Sequence, residues 1–236
     1  MRGSTILTVE QLPDSRRAIL VALKQRGSAT ISQLAALLGL TGEAVRQQLV
    51  QMHRDGWIES GADRSAERGR TGRPAARYLL SQAGDHLFPK QYDALSIAVL
   101  DAVTEKLGAE AATKVLERLV DGKVAALEPA MRGLSLTERV ATLKSWYLDD
   151  DPFMSTEEAG DGYRLVERNC PFLNTAMGRP MLCSISVNAL TRLLGVRVER
   201  EERFQNGDGR CVFRIQAGEP VDVDNWTFEP ESFRSR

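Results

Sequence analysis

Three thiols carry the most reactive chemistry in this chain: Cys170, Cys183 and Cys211, all in its last third. Twelve residues separate the first pair and twenty-seven the second, which is not the spacing of a zinc finger. Three separated thiols that converge in space suit a soft metal or an iron–sulfur cluster, because thiolates donate charge to iron and tie the cluster to the chain. Pro171 follows Cys170 and cannot continue a helix, so it shapes a turn. Cys183 falls at the predicted start of a helix, where the dipole favours a thiolate. Buried structural cysteines and a redox thiol pair are the other readings of the same residues.

A second chemistry sits near the N-terminus. Glu43, Arg46, Gln47 and Val50 share the exposed face of a predicted helix. Arg and Gln can each make two hydrogen bonds to a purine edge in the major groove. Thr41 and the amides at that helix start can hold a phosphate. Downstream, Arg64, Arg68, Arg70 and Arg73 lie in a loop with Gly61, Gly69 and Gly72, and can track phosphates or enter a minor groove. His53 and His86 share no metal-ligand spacing. No nucleophile–histidine pair, paired-acid motif or phosphate loop is present, so an enzyme is not expected.

The elements that must position these groups follow from capping and period. Asp14 can cap a helix reaching Arg26, with Ile19, Ala22 and Leu23 on one face and Gly27 at its end. Thr30 and Gln33 fit a capping box for a second helix, with Ile31, Leu34, Leu37 and Leu38 as its apolar stripe. Thr41 caps a third, with Val45, Leu49 and Met52 inward. The turn Gly39-Leu40-Thr41 is short, which makes a helix-turn-helix. Trp57–Ser60 and Ala76–Leu80 read as strands around the arginine loop, completing a winged helix.

Beyond Pro89 the pattern changes. Tyr92, Leu95, Val99, Val103 and Leu107 recur at helical spacing, as do Val115, Leu116, Leu119, Val120, Val124 and Leu127. These faces can pair with a second subunit or pack within the chain. Ser135–Trp146 reads as another helix, with Leu136, Val140 and Leu143 inward. The run Asp149-Asp150-Asp151-Pro152 reads as a solvated loop. Phe153–Glu158 and Gly162–Arg168 form one hairpin. A helix from Cys183 to Gly195 follows, then a second hairpin of Val196–Glu201 and Arg210–Ile215.

The bulk numbers agree. The chain has 236 residues, 42% hydrophobic and 27% charged, with a net charge of −1. Residues 1–90 hold 13 Lys and Arg against 8 Asp and Glu, and the remainder 18 against 24. Only the first part is suited to approach a polyanion. No apolar run reaches the ~20 residues of a membrane span, and Met1–Leu7 lacks a signal-type apolar core. An odd cysteine count argues against a disulfide scaffold. A cytoplasmic chain with no membrane contact is expected.

The sequence resembles the SufR-type iron–sulfur-responsive transcriptional regulators. The resemblance is carried by Leu40-Thr41-Gly42-Glu43-Ala44-Val45-Arg46 through Asp55-Gly56, by Gly72-Arg73-Pro74 before Tyr78, and by Asn169-Cys170-Pro171-Phe172. Cys183, then Val198-Glu199-Arg200 and Gly209-Arg210-Cys211-Val212-Phe213-Arg214-Ile215, extend it over nearly the whole chain. It implies an α+β fold: a winged helix-turn-helix over 1–89, central dimerisation helices over 90–148, and a C-terminal α/β cluster-binding domain with antiparallel hairpins over 149–236. It implies an iron–sulfur cluster on Cys170, Cys183 and Cys211, usually 4Fe–4S, with 2Fe–2S as the variant. It also implies a homodimer that represses cluster-assembly genes from a palindromic operator on double-stranded DNA. Some members carry another cysteine near Val196, which is absent here. Asn174, Glu199 and His86 are the candidates for a fourth, non-thiolate ligand. A regulator of the same shape that answers to a small molecule, or holds a structural zinc, is the alternative.

Overall fold

Local rules build the first elements. The Thr30 amide donates to Gln33 Oε1 at 2.9 Å and the Gln33 amide to Thr30 Oγ1 at 3.3 Å, a reciprocal cap. The computed structural model describes residues 8–62, 76–148 and 151–231. They divide into two units, Met1–Lys90 and Gln91–Arg236.

In the first unit, α1 (Asp14–Arg26), α2 (Ile31–Leu38) and α3 (Gly42–Arg54) surround a core of Ile19, Leu20, Leu23, Leu34, Leu49 and Met52. Pro13, not Asp14, holds the capping position of α1; Asp14 opens the helix and pairs with Arg17. Gly39 takes φ 65°, the left-handed conformation that ends α2 and lets α3 start three residues later. A short sheet closes the unit, with β1 (Ala29–Thr30), β2 (Ile58–Ala62) and β3 (Ala76–Leu80) in the antiparallel order β1-β3-β2. The helix α4 (Gln82–His86) follows. The two-residue β1 was not anticipated; it pairs Ala29 with Tyr78 and Thr30 with Arg77.

The second unit begins with α5 (Tyr92–Leu107), α6 (Ala109–Leu127) and α7 (Leu136–Tyr147). Ser135 and Glu138 form the capping box of α7. Then come β4 (Ser155–Ala159), β5 (Gly162–Glu167), α8 (Leu173–Gly178), α9 (Ser184–Leu194), β6 (Val196–Glu202) and β7 (Cys211–Pro220). The strands form one antiparallel sheet, β4-β5-β7-β6. Val120 and Val124 of α6, Val140 and Leu143 of α7, and Leu190, Leu193 and Leu194 of α9 pack with Leu165, Val198, Phe213 and Ile215 of the sheet. Helices α6, α7 and α9 thus share one core with the hairpins, while Leu100 of α5 packs with Ala112 and Leu116 of α6. The whole is α+β, with a winged helix-turn-helix at its N-terminus.

One expectation is overturned here. Asp151 is not a solvated acid: it is 0% exposed. Its Oδ1 accepts from the Phe153 amide, and its Oδ2 accepts from the amides of Arg168 and Asn169. A buried carboxylate is tolerable because backbone N–H groups replace its water. These bonds tie the start of the sheet to the segment entering Cys170.

Candidate functional site

On the first unit, α3 buries Val45, Leu49 and Met52 and turns Glu43, Arg46, Gln47 and Val50 outward. Thr41 Oγ1 accepts from the Ala44 amide at 3.2 Å and fixes the helix start. Arg46 Nε lies 3.6 Å from the Glu43 carboxylate, an exposed i,i+3 ion pair on the outer face of α3. Arg16 of α1 donates to Gln48 at 3.2 Å and pairs with Asp55 at 3.6 Å, which sets the angle of α3 on its supporting helix. Arg64, Arg68, Arg70 and Arg73 lie outside the described residues.

On the second unit, the three cysteines line a single cavity of 460 Å³. Cys170 is at the turn after β5, Cys183 precedes α9, and Cys211 opens β7. Strand register adds two groups that the spacing of cysteines could not reveal. Glu167 pairs across the sheet with Cys211, and Arg200 with Phe213, two residues along the same face. Both Glu167 and Arg200 line the cavity. So do Lys123 of α6, which donates to the Tyr147 hydroxyl at 3.3 Å, and Gln205. Leu119, Leu182, Ile185 and Phe204 supply apolar wall.

The charge in this wall is buried and partnered. Arg200 Nε donates to both Glu231 oxygens at 3.1 and 3.2 Å, one terminal nitrogen donates to the Cys183 carbonyl at 2.9 Å, and the guanidinium sits 4.4 Å from the Phe213 ring centroid. Burial opposes its charge, but the Glu231 carboxylate beside it acts the other way, the net shift is upward, and Arg200 stays protonated. The thiols go the other way. Burial pushes Cys170 up to about 12, with the Glu167 carboxylate adding to it. Burial also raises Cys183 and Cys211, against the opposing charge of Arg200. The thiolate expected at Cys183 from the helix dipole is therefore not the resting form. Desolvation is the larger effect.

The donor set fits a thiolate-held group in part. Three cysteines share a cavity, and Gln205 Nε2 lies 2.9 Å from Cys183 Sγ, the kind of N–H to sulfur bond that tunes a cluster. Among the described residues, however, no group of three or more His, Cys, Asp or Glu is set to hold a metal ion. Of the candidates for a fourth ligand, Asn174 donates to Asp93 and Glu199 lines a different groove. His86 belongs to the first unit. Glu167 is the carboxylate that reaches the cysteine cavity.

Comparison with known proteins bears on the N-terminal unit. The family described as winged helix-turn-helix DNA-binding matches residues 12–59. A crystal structure of a MarR family transcription regulator is 27% identical, over 41% of this chain and 59% of that one, with a TM-score of 0.29. The chain thus spans about three fifths of that relative's length. No curated protein matches the sequence. Among the described residues, no helix is long and apolar enough to cross a membrane.

Proposed function

We propose that this DNA-binding transcription regulator of winged-helix type, which is not an enzyme, changes its hold on a palindromic operator when an effector fills the cavity of its second unit. The observation that carries this is the cavity: 460 Å³, with apolar walls, a few convergent polar groups and a buried arginine. Concave sites of roughly 300–1,000 Å³ with that lining are where small organic molecules bind. An effector acts only through a difference in affinity between two states of the protein. Its contacts here fall on α9, β6 and β7, which carry the core of the unit.

A second reading is favoured by the three thiols on one cavity. In it, Cys170, Cys183 and Cys211 would hold an iron–sulfur cluster, 4Fe–4S or 2Fe–2S. Gln205 would donate to a ligating sulfur and Arg200 would offset thiolate charge. The bound group would supply iron that oxidant or iron shortage removes, making repression depend on cluster supply. Ligation would release the thiol protons that burial retains.

Two copies are proposed to act together. Tyr92, Leu95 and Val99 form an i, i+3, i+7 stripe on α5 that is 55–63% exposed. Covering it against a second chain would present two α3 helices to two half-sites.

Binding to DNA selected from a random pool tests the regulator. Affinity is expected to fall steeply with salt and to be lost in Arg46→Ala. Anaerobic addition of iron(II) and sulfide then separates the effectors. Broad visible absorption that vanishes in Cys183→Ser, with altered DNA affinity, selects the cluster. A colourless protein whose DNA affinity responds to an organic ligand selects the small molecule. DNA affinity indifferent to both defeats the effector cavity.

A further inference from the structure

Among the described residues, two side chains that line the cysteine cavity, Arg200 and Gln205, do not spend all their hydrogen-bonding groups on the chain. Arg200 is 2% exposed in its side chain. Its Nε is taken by Glu231 and its Nη2 by the Cys183 carbonyl, while Nη1 donates to nothing among the described residues. A guanidinium offers five N–H donors in a fixed fork, so the two on Nη1 are not spent by the bonds already made. Gln205 shows the complementary gap. Its Nε2 serves both the Ala176 carbonyl, at 3.3 Å, and Cys183 Sγ. Its Oε1 is buried and accepts from nothing. Turning the amide over does not cure this, because oxygen would then face the Ala176 carbonyl.

Both residues bond Cys183, one at its carbonyl and one at its sulfur, so Arg200 and Gln205 belong to one patch of wall. A buried acceptor such as Gln205 Oε1 is costly to leave without a donor. Around them the wall is apolar, with Leu119, Leu182, Ile185 and Phe204. Lys123 adds a second cation, Glu167 an anion, and Glu231 already neutralises part of Arg200. That balance suits a single negative charge better than a phosphate ester.

We infer that the cavity binds a small organic acid with an apolar body, whose carboxylate accepts from Arg200 Nη1 and whose adjacent hydroxyl donates to Gln205 Oε1. The inference rests on the small-molecule reading above and names the ligand class. A hydroxy acid supplies both missing partners at once. A simple fatty acid supplies one, and a diol supplies the other without the charge.

Calorimetric titration of the full chain with 2-hydroxyhexanoate, hexanoate and hexane-1,2-diol tests it. The hydroxy acid is expected to bind at least about tenfold tighter than the diol and several-fold tighter than hexanoate. Gln205→Met should bring the hydroxy acid down to hexanoate and leave hexanoate within about twofold. Arg200→Lys should weaken both acids about tenfold and spare the diol. Should Arg200→Lys fail to fold, Gln205→Met carries the test, since it touches no ion pair. A diol that matches the acids, a hydroxy acid no better than hexanoate in the parent protein, or a cavity that takes none of the three and keeps only water overturns the inference. Acids that bind without changing DNA affinity defeat the effector role and leave the ligand class standing. DNA affinity that answers to iron and sulfide while the acids do not bind defeats the ligand class alone.

Discussion

Replacing Asp151 with Asn isolates what a buried carboxylate contributes beside Cys170. The side chain keeps its shape, so no cavity opens. Three backbone amides depend on it: Phe153 at 3.0 Å on one oxygen, Arg168 at 2.5 Å and Asn169 at 3.1 Å on the other. In the cheaper orientation the new amide oxygen keeps Arg168 and Asn169 and the NH2 group faces the Phe153 N–H. One charge-assisted bond is lost, about 1.5–3 kcal/mol, and the remaining two lose their charge. The expected cost is about 2–4 kcal/mol. For a unit of this length each kcal/mol lowers Tm by about 3–4 °C, so the second unit should melt about 6–16 °C earlier. Thermal unfolding by circular dichroism reads the shift. Hydrogen exchange at Arg168 and Asn169 localises it, and these amides lead directly into Cys170. A midpoint within about 1 °C of the parent would show that water, and not these amides, satisfies the carboxylate.

Other outcomes follow from single contacts. Asn188, 1% exposed, holds the C-terminal segment through Trp226 Nε1 at 3.0 Å and the Glu229 amide and carbonyl at 2.9 and 2.8 Å. Asn188→Ala should free that segment by about 2–4 kcal/mol, roughly a hundredfold faster exchange at the Glu229 amide; unchanged exchange would place the anchor elsewhere. A Cβ on Gly84 would lie 1.9 Å from the Trp57 carbonyl oxygen, a backbone atom with nowhere to go. Gly84→Ala should therefore cost the first unit about 1–3 kcal/mol or more in urea unfolding, and a neutral result would refute the close approach. Hydrogen bonds from Lys24 and Lys90 hold the Asp85 carboxyl down at about 2. A depressed carboxylate stabilises the fold above its unfolded value near about 4 and loses that contribution as pH falls through its folded one. Asp85→Asn should flatten the fall in stability of the first unit between pH values of about 4 and 2, and an unaltered slope would dismiss the pairing.

What was readable in the sequence, and what was not, divides by the range of the interaction. The α2–α3 turn was legible because Thr30, Gln33, Gly39 and Thr41 act within four residues of themselves. The β1 strand was not, since two residues carry no period and Ala29 is a strand only because Tyr78 pairs with it. Spacing marked Tyr92, Leu95 and Val99 as one apolar face, but only coordinates show that the chain leaves that face open. Asp151 was misread because three acids in a row resemble a solvated run, while its partners lie up to eighteen residues away.

The site divides in the same way. Each cysteine stood visibly at a junction between elements. Glu167 and Arg200 reach them only through the register of β5 and β6 on β7, and alternation along one strand leaves its partner's register open. The Cys183 thiol makes the physical point. Position at a helix start argues for a thiolate, and that much is local. Desolvation is a property of everything packed around the sulfur, and it raises Cys183 above its ordinary value despite Arg200 and Gln205. Whatever occupies this cavity must therefore either take protons off the thiols or bind beside them while they stay neutral. Those alternatives are the cluster and the organic acid, and proton release on binding separates them: a cluster gives up thiol protons as it forms, whereas an acid that binds as its anion between Arg200 and Gln205 leaves the thiols protonated.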